Sequence, residues 1–163
     1  MRAMIDLSSC NEFMETCIAD ARENAATGQG GPFASLVVKD GKIIASGCNG
    51  VSRLNDPTAH AEMQAIRAAA TALASYSLSG CVLFSSCEPC PMCLAAIYWA
   101  RIDQVYFAAT QVHASAAGFD DSFIYEQFAR PAAQRSLPLM QLLAHRANVP
   151  FEAWLENSSR VPY

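Results

Sequence analysis

Residues 80–100 read GCVLFSSCEPCPMCLAAIYWA and change character once along their length. Gly80 to Ser86 is an apolar, β-rich run of strand length that opens on glycine. Pro91 stands where a first helical turn accepts a residue without an N–H, and a helix to about Ala100 follows. Ile102 to Ala109 is a second buried strand, so this part of the chain reads as a strand–helix–strand crossover.

Upstream, Phe33 to Lys39 alternates as a strand, Asp40-Gly41 is a hairpin turn, and Lys42 to Asn49 returns antiparallel. The segment GVSRLNDPT reads as a loop, with Asp56 or Thr58 capping a helix over roughly 59–73. A first helix spans 9 to about 26, with Phe13, Met14, Cys17, Ile18, Ala21 and Ala25 at helical spacing and a capping box from Ser9 to Glu12. Downstream, helical segments are expected near 112–117, 121–130 and 151–157. Strands alternating with helices on a mixed sheet make a layered α/β fold, and its crossovers should be parallel. No repeat or long linker divides the chain, so residues 1–163 read as one domain.

The composition narrows the function classes. Apolar residues make up 52% and charged residues 16%, enough to fill a core. No run of eighteen apolar residues suggests a membrane span. The opening MRAMIDLSSCNEF does not read as a secretory signal. Net charge is -4 with no basic run, which favours a small substrate over nucleic acid. Seven cysteines, an odd number, argue for reduced thiols in the cytoplasm rather than a disulfide scaffold.

Two motifs carry chemistry: Thr58-Ala59-His60-Ala61-Glu62, and Cys87-Glu88-Pro89-Cys90-Pro91-Met92-Cys93. Each lies at an expected helix start. Zinc takes nitrogen and sulfur ligands, and one histidine with two cysteines leaves a fourth position open, as a catalytic site requires. Helix N-termini stabilise anions and lower thiol pKa values, so Cys90 and Cys93 suit a metal. Two thiolates also balance the dication. Glu62, two residues beyond His60, is placed to take a proton from the solvent and return it to the substrate and the leaving amine. Taken singly, the histidine reads as a capped or surface residue, and the CxxC as a structural or redox pair. Jointly, H-x-E followed about thirty residues later by P-C-x-x-C matches the signature of zinc-dependent nucleobase deaminases. Cys87 could close the site as a fourth ligand, but it lies on the strand side of Pro89. His113 and His145 fit no motif and read as structural or surface residues.

With these motifs the chain resembles the cytidine deaminase superfamily, and within it the bacterial guanine deaminases. The resemblance rests on NDPTAHAE, CEPCPMCLAAIYWAR, AAGFDDSFIY and the terminal FEAWLENSSRVPY. It implies a three-layer α/β/α sandwich with a mixed five-stranded sheet, the fifth strand falling near Leu137 to Leu143. It implies a homodimer that exchanges a C-terminal segment, about 131–163, so that Tyr163 closes the neighbour's pocket. By the same resemblance Asn49 and Asp121 hydrogen-bond the base, and Phe33 and Trp99 line its faces. The implied reaction is guanine to xanthine and ammonia, with Glu62 and Asp121 moving protons. Rival readings are deamination of cytosine, cytidine, guanosine, an amino-triazine or tRNA adenosine. Outside enzymes, the rival is a zinc-stabilised binding module. In plain burial terms, Asn49 reads as a turn residue, Asp121 as a helix cap, and the two aromatics as core.

Overall fold

The structure is a computed structural model that describes residues 7–162. The chain divides between Asp121 and Ser122 into two compact units. The first unit opens with helix α1 (Leu7–Ala26). That helix is already formed at Leu7, so Ser9 lies inside it rather than capping it. Strands β1 (Ala34–Lys39) and β2 (Lys42–Cys48) pair antiparallel across the Asp40-Gly41 turn. Both turn residues have positive φ, 49° and 71°, as the tight hairpin requires.

The segment expected to be a loop contains a short helix, α2 (Val51–Leu54). Asp56 caps nothing: its Oδ1 accepts hydrogen bonds from the Thr58 N–H and Oγ, which fixes a local turn. Helix α3 (Ala61–Ala72) starts instead from His60. Strand β3 (Cys81–Cys87), helix α4 (Pro91–Trp99) and strand β4 (Gln104–Ala109) form the expected crossover. Helix α5 (Gln111–Ala116) follows, capped by Thr110 and His113. That capping gives His113 its structural role.

The sheet order is β2-β1-β3-β4. Strand β1 runs antiparallel to both neighbours, while β3 and β4 are parallel. The sheet is therefore mixed, as expected, but it has four strands among the described residues. Residues 137–143, expected as a fifth strand, are irregular. An apolar run becomes a strand only with a pairing edge, and Pro138 removes a donor while Leu143 adopts φ 52°.

Side chains alternate across β1 and β3. Leu36, Val38 and Phe84 cluster with Cys10, Cys17 and Ala21 of α1. Val37, Cys81 and Leu83 cluster with Ala65 and Ala69 of α3 and Ile97 of α4. The second packing holds α3 and α4 against one face of the sheet.

The second unit contains α6 (Ser122–Ala129), two 3-10 turns and α7 (Val149–Glu156). The Arg135 Nε and Ser136 N–H groups fold back onto Gln127. Many of its apolar side chains are exposed, Phe128, Met140 and Phe151 among them.

Candidate active site

Two helix starts converge in the first unit. His60 is the N-cap residue of α3 and Cys90 that of α4, both with extended backbone. Caps are usually serine, threonine or aspartate, whose side chains bond back to the helix. Neither His60 nor Cys90 makes that bond, so both side chains turn elsewhere. His60 Nδ1 lies 3.6 Å from Cys90 Sγ and 3.6 Å from Cys93 Sγ. The three ligating atoms all fall within 4.8 Å of one another, so the group could hold a metal ion.

The donor set fits zinc. Ordinary Zn–N and Zn–S bond lengths meeting at a tetrahedral angle put nitrogen and sulfur about 3.6 Å apart. Cys87 is outside the group: its thiol points to the Thr110 carbonyl, 3.8 Å away. Burial pushes the Cys87 thiol up, which favours an inert neutral side chain.

The electrostatics favour one negative charge at the cluster. Cys90 is held down to about 4, first by hydrogen bonding from the Cys93 thiol and also by His60. Cys93 is raised because it keeps its proton as the donor to Cys90. His60 is raised through its bond to Cys90. An arriving dication would displace the remaining protons.

Glu62, in the first turn of α3, is only 6% exposed. Burial drives its carboxyl above the usual range, and the negative Cys90 adds to this. Hydrogen bonds from Cys93 and Ser85 oppose the rise. Ser85 Oγ donates to Glu62 Oε1 at 3.1 Å.

These groups open onto a cavity of about 680 Å³ lined by Phe33, Asn49, His60, Glu62, Cys90 and Asp121, among others. Asn49 Oδ1 accepts from the Gly31 N–H at 3.2 Å and the Val51 N–H at 3.4 Å. The Asp121 carboxyl is raised, first by burial and then by the charge of Cys90. Phe33 meets Phe119 edge-on, with ring centroids 4.9 Å apart, so two aromatics wall one side.

Trp99 does not line this cavity. It is 70% exposed and lines a separate recess with Ala95, Tyr98 and Arg101. Helix geometry explains this. Cys93 fixes the site at the start of α4, and Trp99 lies six residues, roughly 9 Å, further along the axis. Tyr163 lies outside the described residues.

Sequence reasoning missed Phe119 and Ser85. Phe119 sat inside the quoted GFDD segment, where attention went to the aspartates. Ser85 was detectable by parity, because it shares a face of β3 with Cys81 and Leu83.

Known proteins resemble this chain along most of its length. Guanine deaminase of Bacillus subtilis is 48% identical over 151 residues, covering 93% of this chain and 97% of that protein. Its X-ray structure matches with a TM-score of 0.91 over 94% of this chain and 98% of that one. Guanine deaminase from Nitrosomonas europaea matches at 35% identity with a TM-score of 0.63, over 66% of this chain and 63% of that one. A tRNA-specific adenosine deaminase of Aquifex aeolicus is 40% identical over 97 residues, 60% of this chain and 64% of that protein. The model for the cytidine and deoxycytidylate deaminase zinc-binding region matches residues 7–109, and the chain belongs to that family of zinc-binding deaminases.

Proposed function

We propose that the protein hydrolyses guanine to xanthine and ammonia, with His60, Cys90 and Cys93 holding zinc and Glu62 carrying protons. The observation that carries this reading is one cavity that gathers His60 and Cys90 of the ligand cluster, a buried carboxylate, an amide and a second carboxylate. Zinc, when bound, supplies a Lewis acid that lowers the pKa of water at its open position. Glu62 is placed to take a proton from the attacking water and give it to N3 as the C2–O bond forms, and then to carry the remaining hydroxyl proton to the amine as the C2–N bond breaks and the C2 carbonyl forms.

The polar partners suit guanine. Asn49 has its Oδ1 engaged by two backbone N–H groups, so its amide offers Nδ2 donors to a ring acceptor such as O6. Asp121 offers acceptors to the adjacent N1–H and amine donors, and it can relay a proton to the amine. Phe33 walls the flat ring. Trp99 can do the same only if a second copy brings it to the cavity. That requirement, with Tyr98, Trp99 and Phe107 all exposed, supports a homodimer.

We also read residues 1–163 as one deaminase domain whose segment of about 131–163 is exchanged between copies, carrying Tyr163 to the neighbour. The apolar clusters on α1 and on α3 with α4 support a three-layer α/β/α sandwich. The seven cysteines stand as thiols rather than in disulfides, which supports the cytoplasm. No helix among the described residues is long and apolar enough to cross a membrane.

The test is xanthine formation from guanine by wild type, with and without a chelator, beside a panel of cytosine, cytidine, guanosine, amino-triazines and tRNA. Guanine should be turned over fastest, and chelation should abolish it. Undiminished xanthine formation by Asp121→Ala would remove Asp121 from the scheme.

A further inference from the structure

We infer that Ser85 is a positioning residue that holds the Glu62 carboxylate in its working conformation; the inference rests on Glu62 being the proton carrier. Ser85 is on β3, between β1 and β4 in the sheet. Its side chain belongs to the face that carries Cys81 and Leu83, both in the apolar cluster with α3 and α4. A serine there is 2% exposed, and burying a hydroxyl costs free energy unless it is bonded. Its bond is the 3.1 Å donation to Glu62 Oε1. The cross-strand neighbour, Ser35, donates instead to the Phe84 carbonyl at 2.8 Å, so it does not compete for Glu62.

Two features of this pairing suit a proton carrier. First, the donor sits on a central strand while Glu62 sits on the first turn of a helix. A glutamate has three rotatable side-chain bonds, and a fixed donor selects among its rotamers before substrate arrives. Second, a hydroxyl both donates and accepts. It can hold Glu62 as the carboxylate and, by rotating, as the carboxylic acid. A lysine or arginine in its place would favour only the charged form. The carrier must pass through both forms in each turnover, so a neutral two-way partner keeps it aimed throughout.

The experiment compares zinc-loaded wild type with Ser85→Ala, Ser85→Thr and Ser85→Val. Ser85→Ala should lose about tenfold in kcat with KM changed less than about twofold. Zinc content should stay at wild-type level in all four proteins. Ser85→Thr restores the hydroxyl and should recover most of kcat, whereas the nearly isosteric Ser85→Val should not. Crystal structures of the Ser85→Ala and Ser85→Thr proteins supply a readout independent of turnover. The Glu62 carboxylate should be displaced or split between rotamers in the first and restored in the second. Full kcat in Ser85→Ala, equal defects in the threonine and valine variants, or an unmoved Glu62 would each overturn the inference. Absence of guanine turnover in wild type would instead defeat the substrate assignment, and the crystallographic comparison would still decide on Ser85.

Discussion

His60 Nδ1 and Cys90 Sγ meet at 3.6 Å across thirty residues of chain, each from the N-cap position of its own helix. The packing of α3 and α4 against the same face of the sheet produces that meeting. Its first consequence concerns metal content. Removing one of three protein ligands typically destroys a catalytic zinc site, so His60→Ala and Cys90→Ala should retain below about a tenth of an equivalent after dialysis. Cys87→Ala should retain about one, because Cys87 faces the Thr110 carbonyl. Elemental analysis of wild type and the three variants checks this, and zinc loss from Cys87→Ala would restore the closed four-ligand site.

The same contact sets a pH dependence. In the metal-free protein His60 is raised above its ordinary 6.5 by its bond to Cys90. The stability this contributes is fully present below the unfolded value and is lost as pH rises through the folded one. Zinc needs the neutral imidazole and the thiolates, so its stabilisation grows as pH rises. The difference in Tm between zinc-loaded and chelated protein should therefore widen from pH 5.5 to 7.5. Scanning calorimetry on both forms checks it, and a constant or shrinking gap would contradict the ligand assignment.

Glu62 should show function at the expense of stability. Its carboxyl is raised above 4.5 chiefly by burial, so ionising it penalises the folded state. That penalty is absent below the unfolded value and accumulates as pH rises toward the folded one. Glu62→Gln should abolish turnover, keep about one zinc, and raise the Tm of metal-free protein by about 2–4 °C at pH 7. The gain should vanish near pH 4. Loss of zinc in this variant would make Glu62 a ligand instead.

Much of this was legible in the sequence because local chemistry fixed it. The Asp40-Gly41 turn, Pro91 at a helix start and the H-x-E and P-C-x-x-C spacings each constrain a few adjacent residues, and the structure bears out the elements they imply. The expected fifth strand failed because an apolar run at 137–143 says nothing about whether an edge is there to pair with. Trp99 stands apart from the cavity of its own chain for a reason of distance. Resemblance named the residue, but only the length of α4 shows how far it stands from Cys93. Phe119 and Ser85 escaped because their roles depend on contacts with Phe33 and Glu62 that spacing does not encode.

Gly47 carries a packing prediction that reaches the site. It is buried on β2, and an added Cβ would lie 2.5 Å from the Ala61 carbonyl and 2.5 Å from the Ala65 nitrogen. Both are backbone atoms of α3, so the helix itself would have to move. Gly47→Ala should cost about 2 kcal/mol or more, lowering Tm by roughly 4–8 °C. Because His60 and Glu62 ride on the start of α3, zinc affinity and kcat should fall with it. A stable, fully active Gly47→Ala protein would show that α3 is not set by this contact.

Complementation tests whether a neighbour completes the cavity. Glu62→Gln chains lack the proton carrier, and Tyr163→Ala chains lack the tyrosine assigned to the partner's pocket. If Tyr163 acts in trans, each hybrid dimer holds one site with Glu62 from one chain and Tyr163 from the other. Equal co-expression gives hybrids in half the dimers with one good site each, so activity should reach about a quarter of wild type while each variant alone stays far below that. The same design with Trp99→Ala in place of Tyr163→Ala asks whether the exposed tryptophan also crosses the interface. If Tyr163 acts within its own chain, or the protein is a monomer, mixing restores nothing, and sedimentation at several concentrations distinguishes those two cases.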